Sequence, residues 1–412
     1  MWLAQPLLKR KLARRAVAEP GYAHAVDERF GHYSVPAGEG FVWVHAVSLG
    51  ETRAAVLLLG ELRQQLPGMR LLLTHGTATG REEGAALLRH GDVQVWQPWD
   101  TPAAVRRFLT HFRPRLGILV ETEIWPNMVA GCVSAGVPLV LVNARMSTAS
   151  AQNARRLAWL ARPAYAALAA VWAQTLADAQ ALLSLGAPVR AVLGNLKFDA
   201  SPDAAQLALG QGWRRRQNRP VLMFASSREG EELALLQALA SNPLAKAWQW
   251  LIVPRHPQRF DAVASLIEQN GFTVSRRSSW GLAPEDAQVW LGDSLGEMAL
   301  YYGLSDLSLL GGSFAPLGGQ NLIEALACGC PVLMGPHTFN FSEAASLAID
   351  AGAAFVVTAL AQALSLAQTL LLVPVRLDAT RAAGVRFSVA HRGATEKTVQ
   401  AIVELLRAPA AR

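Results

Sequence analysis

Cysteine is scarce. Cys132, Cys328 and Cys330 are the three in 412 residues, too few for a disulfide framework, and each lies in an apolar, small-residue segment where a cysteine behaves as a small hydrophobe. A reducing compartment is the natural setting. Cys328 and Cys330 form a C-x-C, but without a second pair or suitably spaced histidines it does not match the usual zinc patterns. Long apolar runs are missing too. No stretch has the uninterrupted apolar length of a membrane-spanning helix, and the first residues lack the core and cleavage site of a signal peptide. The Walker pattern and Gly-x-Gly-x-x-Gly are absent, which counts against an NTPase or a dehydrogenase. Zinc-finger, RNP and basic-zipper patterns are likewise absent, which counts against nucleic acid as a partner. No fixed-period repeat competes with a globular reading.

What is present is length enough for two domains and a net charge of +7 that is unevenly placed. Lys9, Arg10, Lys11, Arg14 and Arg15 crowd the start, beside Trp2, Leu3, Leu7, Leu8 and Leu12. Such a mixture suits a short helix lying on an anionic membrane surface, and it equally suits a charged terminal helix packed on the protein. The expected location is cytoplasmic, in contact with that surface.

From residue 41 onward, short β-rich runs (41–47, 70–75, 93–97, 116–120, 138–142 and 170–173) alternate with helical segments. This rhythm indicates parallel βαβ units, and runs apolar at nearly every position indicate strands covered on both faces. A polar stretch at 201–220 interrupts it, after which runs at 221–225, 250–253, 272–275, 288–291 and 307–310, and a strand-like 331–334, resume the pattern. The expected architecture is α/β, with a membrane-interface segment at 1–20, a Rossmann-like domain at 21–200, a linker at 201–219 and a second Rossmann-like domain at 220–412, whose last helix returns to the first. A cleft between the domains would take the ligands, at the carboxyl ends of the strands.

The turns after the strands are therefore where chemistry is expected. His45-Ala46-Val47-Ser48-Leu49-Gly50-Glu51 leads from a strand into a helix, so Glu51 is placed to deprotonate a hydroxyl; Ser-x-x-Glu is also a capping box. Glu121-Thr122-Glu123-Ile124-Trp125-Pro126-Asn127 places further acids at a strand end, as functional groups or as helix N-terminal acids. Lys197 can offset charge on a phosphate or carboxylate, or pair with Asp199. In the second half, Arg255 follows a strand, and the amides of Leu295 and Gly296 precede Glu297 at a helix start. A glycine-rich run then feeds a helix carrying Glu324, which is suited to a ribose.

These motifs together resemble the 3-deoxy-D-manno-octulosonic acid (Kdo) transferases of lipopolysaccharide synthesis, the lipid IVA Kdo transferases of glycosyltransferase family 30. The resemblance rests on the runs at Ser48 to Glu51 and Glu121 to Asn127, on Asn143-Ala144-Arg145, Leu196-Lys197-Phe198-Asp199 and Pro254-Arg255-His256-Pro257, and on the segment 334–341. It implies a GT-B fold and inverting transfer from CMP-Kdo to the lipid A precursor without a metal or other cofactor. By motif, Glu51 becomes the proton acceptor, while Glu121 and Lys197 stabilise the transition state. Pro254, Arg255, Leu295, Gly296, Glu297, Asn321, Leu322, Ile323 and Glu324 hold the CMP. The chain departs from the usual family pattern at 314–321 and at Arg228. The competing expectations are a GT-B transferase using a UDP-sugar, and a noncatalytic nucleotide-binding protein of the membrane surface.

Overall fold

Strands form where runs of valine, leucine and isoleucine are apolar on both faces. The computed structural model describes residues 5–122, 124–242 and 247–407. The first strands are β1 (Val42–His45), β2 (Leu71–His75), β3 (Val93–Trp96), β4 (Leu116–Val120), β5 (Leu139–Ala144), β6 (Ala170–Ala173) and β7 (Val189–Val192). They lie parallel in the order β3-β2-β1-β4-β5-β6-β7. The second set is β8 (Val221–Ser227), β9 (Gln249–Pro254), β10 (Val274–Arg276), β11 (Val289–Leu291), β12 (Leu307–Leu310), β13 (Val332–Met334) and β14 (Ala354–Val356). These are also parallel, in the order β10-β11-β9-β8-β12-β13-β14. Each sheet is doubly wound, with the switch in strand order between β1 and β4 in the first and between β8 and β12 in the second, where β11 also inserts between β9 and the edge strand β10. Open α/β sheets bind ligands at such switch points.

The chain divides into two compact units, Met1–Asp199 with Arg392–Arg412, and Ala200–His391. In the first, Trp43, Phe108, Phe112 and Leu141 fill one face of the sheet, while Val44, Leu58, Leu62 and Ile118 fill the other. The helix Ala394–Arg407 joins that second face through Val399, Ile402 and Val403, spaced as one stripe of a helix, and packs beside the helix Leu49–Gln65. Each such side chain contributes about 1.5–3 kcal/mol when fully buried. In the second unit, Leu222, Phe224, Ile252 and Leu309 form the centre of the core.

Three sequence expectations need correction or completion. The stretch 201–219 is not a bare linker. Asp203 accepts from the Gln206 amide at 2.9 Å and caps the helix Ala204–Arg214, which belongs to the second unit. Its Trp213 is buried and donates to the Leu282 carbonyl at 2.9 Å. Two strands went unread, β7 and β14, because edge strands are short and half exposed and so lack the continuous apolar signal. At the start, the helix Gln5–Ala18 sets Leu12 against Tyr22 and Trp96, so part of it packs on the protein. Residues 1–4 and the side chains of residues 5–9 and 11, on which most of the membrane-interface expectation rests, lie outside the described residues. Among the described residues no single helix is long and apolar enough to cross a membrane.

Candidate functional site

In the first unit, the turn after β1 carries Glu51. Ser48 caps the helix Leu49–Gln65, accepting from the Glu51 amide at 3.4 Å and donating its hydroxyl to Glu51 Oε1 at 3.1 Å. The Val47 amide donates to Glu51 Oε2 at 2.7 Å. The capping reading is thus realised, and Glu51 is 8% exposed. Capping and proton acceptance are compatible, since a carboxylate offers about four acceptor sites.

Beneath this turn lie two buried histidines that sequence reasoning did not single out. His45 Nδ1 sits 2.8 Å from Thr74 Oγ1, and His75 Nδ1 is 2.9 Å from the Ala46 carbonyl. Burial lowers both pKa values, to about 3 for His45 and about 4 for His75, so both rings are neutral near pH 7. Their Nε2 atoms have no hydrogen-bond partner in the fold. The signal available in the sequence was position alone: each histidine is the last residue of its strand.

Across the switch point, Glu121 follows β4 with φ of +66°, a left-handed conformation that is uncommon outside glycine. Its carboxylate meets Lys197 Nζ at 2.8 Å. Lys197 therefore pairs with Glu121 and not with Asp199, whose carboxylate accepts the amides of Gly393 and Thr395. Glu123 lies outside the described residues. Asn127, at the start of the helix Pro126–Ser134, is anchored by Asp100 and serves structure. Glu51, in the first turn of the helix after β1, and Glu121, directly after β4, thus follow the two strands that flank the reversal, and Lys197 is delivered beside the second.

In the second unit, Pro254 ends β9 and Arg255 follows it. The Arg255 amide donates to the Ser227 carbonyl at 3.0 Å, and its Nε donates to Gln320 Oε1 at 3.1 Å, tying this turn to the glycine-rich loop. Gly318 and Gly319 take φ of +89° and +73°, which a side chain would oppose. Glu231, also missed in the sequence, holds that loop from below: its carboxylate accepts the amides of Gly312 at 2.8 Å, Arg228 at 2.9 Å, and Phe314 and Ala315 at 3.2 Å. Burial nevertheless raises its pKa.

The remaining residues expected to hold CMP divide by side-chain environment. Leu295 is exposed, whereas Glu297 is fixed by Arg277 at 2.8 Å and by the Ser294 hydroxyl. Asn321 Oδ1 accepts the Ile323 amide at 3.0 Å at the start of the helix Ile323–Ala327. Leu322 and Ile323 are fully buried, so only their backbone groups can meet a ligand. Glu324 is half-buried, on the first turn. The segment 335–341 folds onto the glycine-rich loop, with Asn340 Nδ2 donating to the Leu317 carbonyl at 3.0 Å, and its Phe339 is exposed. Among the described residues no group of three or more His, Cys, Asp or Glu side chains is placed to hold a metal ion.

A family profile described as 3-deoxy-D-manno-octulosonic-acid transferase (kdotransferase) matches residues 24–200. The 3-deoxy-D-manno-octulosonic acid transferase of Bordetella pertussis is 46% identical over 89% of this chain and 87% of that protein. The Haemophilus influenzae protein of the same name is 34% identical over 90% of this chain and 88% of its own. Among solved structures, UDP-GlcNAc 2-epimerase from Neisseria meningitidis aligns with a TM-score of 0.58 at 16% identity, covering 88% of this chain and 99% of that one. That likeness shows the fold alone, a GT-B-like pair of Rossmann-like domains.

Proposed function

The chain belongs to the 3-deoxy-D-manno-octulosonic acid (Kdo) transferase family, and we propose that it moves Kdo from CMP-Kdo onto lipid IVA, the lipid A precursor of lipopolysaccharide synthesis. It is a glycosyltransferase. Glu51 accepts the proton of an acceptor hydroxyl, the oxygen bonds to the anomeric carbon of Kdo, and the bond from that carbon to the CMP phosphate breaks with inversion. Lys197, oriented by Glu121, offsets developing negative charge. Arg255, the amides of Leu295 to Glu297 and the segment Asn321 to Glu324 hold the CMP. No cofactor enters the reaction.

One observation carries this reading: the two strands flanking the reversal in the first unit, β1 and β4, are each followed by a turn that presents a carboxylate, Glu51 held by capping donors and Glu121 paired with a lysine. Incubating the protein in detergent with CMP-Kdo and tetraacylated lipid A precursor tests it. CMP release and a heavier lipid are expected, both lost in Glu51→Gln. The reading fails if neither product forms, or if UDP and not CMP protects the fold against heat.

The proposed location is the cytoplasmic face of the bacterial inner membrane. Supporting it, Leu157 and Trp159 are 51% and 76% exposed, beside exposed Arg155, Arg156 and Arg162 on the helices Thr148–Arg156 and Ala158–Ala166. Apolar and basic side chains in this mixture favour an anionic lipid interface. Binding to vesicles of anionic phospholipid, weakened by Trp159→Ala, is the expected result.

A further inference from the structure

Lys197 and Glu121 are not brought together by their own neighbours alone. We propose that Asn143, Gln174 and Asn195 form an uncharged positioning relay that sets Lys197 against Glu121. The relay rests on the reading of those two residues as groups that serve the transfer.

Each link is a hydrogen bond between segments far apart in the sequence. Asn143, on β5, accepts the Leu196 amide through Oδ1 at 3.1 Å. Its own carbonyl accepts from Gln174 Nε2 at 2.9 Å, and Gln174 follows β6. Gln174 Oε1 then accepts from Asn195 Nδ2 at 3.1 Å, and Asn195 Oδ1 accepts the Lys197 amide at 3.1 Å. The consecutive amides of Leu196 and Lys197 are therefore both fixed by relay members. The 3-10 turn Leu196–Asp199 can present its lysine in one orientation only as long as these acceptors stay in place.

The backbone of the same region supports the assignment. Asn143 takes φ of +51°, and Glu121 takes +66° on the neighbouring strand end. Val120 and Val142 are in register, so the two strained residues follow them side by side. The Glu121 amide donates to the Val142 carbonyl at 3.0 Å, and its carbonyl accepts the Arg145 amide at 3.2 Å, which brackets Asn143 on both sides. Strain held in place by surrounding structure is a mark of functional sites. Asn143 and Gln174 are buried at 2% and 4% exposure, and amide side chains do not titrate. The relay thus fixes the backbone from which Lys197 extends with groups that carry no charge.

Steady-state kinetics of the full chain with CMP-Kdo and tetraacylated lipid A precursor test the relay. Asn143→Gly keeps the left-handed backbone accessible while deleting the acceptor. It is expected to lower kcat about 10–100-fold, since small misplacements of a reacting group cost that much, with both KM values within about threefold of the parent. Asn143→Asp, which retains Oδ1, is expected to recover most of that loss. If Asn143→Gly does not fold, Asn195→Ala, which deletes the outermost link, is expected to give the same kcat-against-KM split. Lys197→Ala is the reference, and Asn143→Gly added to it is expected to cost nothing further. An impaired Lys197→Ala beside an unimpaired Asn143→Gly or Asn195→Ala, or losses that simply multiply in the double variant, overturns the relay alone. An unimpaired Lys197→Ala overturns the reading of Lys197, and the relay with it.

Discussion

Ser48 and Glu51 hold one another reciprocally: the Ser48 hydroxyl accepts the Glu51 amide at 3.4 Å and donates to the Glu51 carboxylate at 3.1 Å. The same contact supports the helix start and aims the proposed base, so the two roles separate only by substitution. Glu51→Gln keeps an oxygen for the Val47 amide and is expected to unfold within about 1 kcal/mol of the parent, while turnover falls by about 10²–10⁴. Ser48→Ala is expected to do the reverse in part, costing about 1 kcal/mol with a smaller loss of rate. Urea unfolding beside product formation checks both. Equal losses of stability in the two variants, with turnover retained in Glu51→Gln, would leave Glu51 as a cap only.

The histidines under that turn set a pH dependence of stability. Their folded pKa values, about 3 for His45 and about 4 for His75, lie below the unfolded value of about 6.5. The unfolded chain therefore binds protons first as pH falls. Stability from this source is complete above about 6.5 and declines by up to about 1.4 kcal/mol per pH unit per histidine on the way down to the folded values. His256, lowered by partial burial beside Arg228 and Arg255, adds in the same sense. Unfolding free energies measured between pH 6.5 and 5, above most carboxylate titration, are expected to slope accordingly. His75→Asn is expected to flatten that slope, and an unchanged slope would contradict the burial argument.

The sequence carried the strand ends well because parallel strands buried on both faces leave a continuous apolar run, and because Glu121 and Arg255 stand immediately after such runs and Glu51 one short turn beyond. It did not carry the contacts that hold these residues. Lys197 was within reach of Asp199 by sequence, but the fold gives Asp199 to the amides of Gly393 and Thr395, 194 and 196 residues further along the chain. Glu231 drew no reading from the sequence, yet its carboxylate accepts three amides of the glycine-rich loop and that of Arg228. Such pairings depend on tertiary proximity, which no local period encodes.

The segment 201–219 read as a linker because Ser-Pro-Asp and an arginine run resemble a loop, yet the helix there is clamped by a glycine. A Cβ on Gly210 would stand 2.1 Å from the Leu300 carbonyl oxygen, and backbone cannot rotate away as a side chain can. Gly210→Ala therefore forces the helices Ala204–Arg214 and Met298–Leu304 apart. The expected cost is about 1–3 kcal/mol or more, the range for overpacking. Thermal unfolding of the variant checks this, and an unchanged Tm would mean that the two helices separate without loss.

Asp199 ties the end of the chain back to the first unit. Its carboxylate accepts the amides of Gly393 and Thr395, which stand at the start of the helix Ala394–Arg407, where exposed amides and the helix dipole favour an anion. That helix buries Val399 and Ile402 against the face that includes Leu58 and Leu62 of the helix bearing Glu51. Asp199→Ala removes the acceptor and is expected to cost about 1–2 kcal/mol. Asp199→Asn, with one oxygen left, is expected to cost less. Hydrogen exchange distinguishes the cause from a general loss of stability: in Asp199→Ala the amides of 393–407 are expected to lose protection before those of β1 and β4. Uniform loss across the unit would instead mean that Asp199 supports the sheet directly.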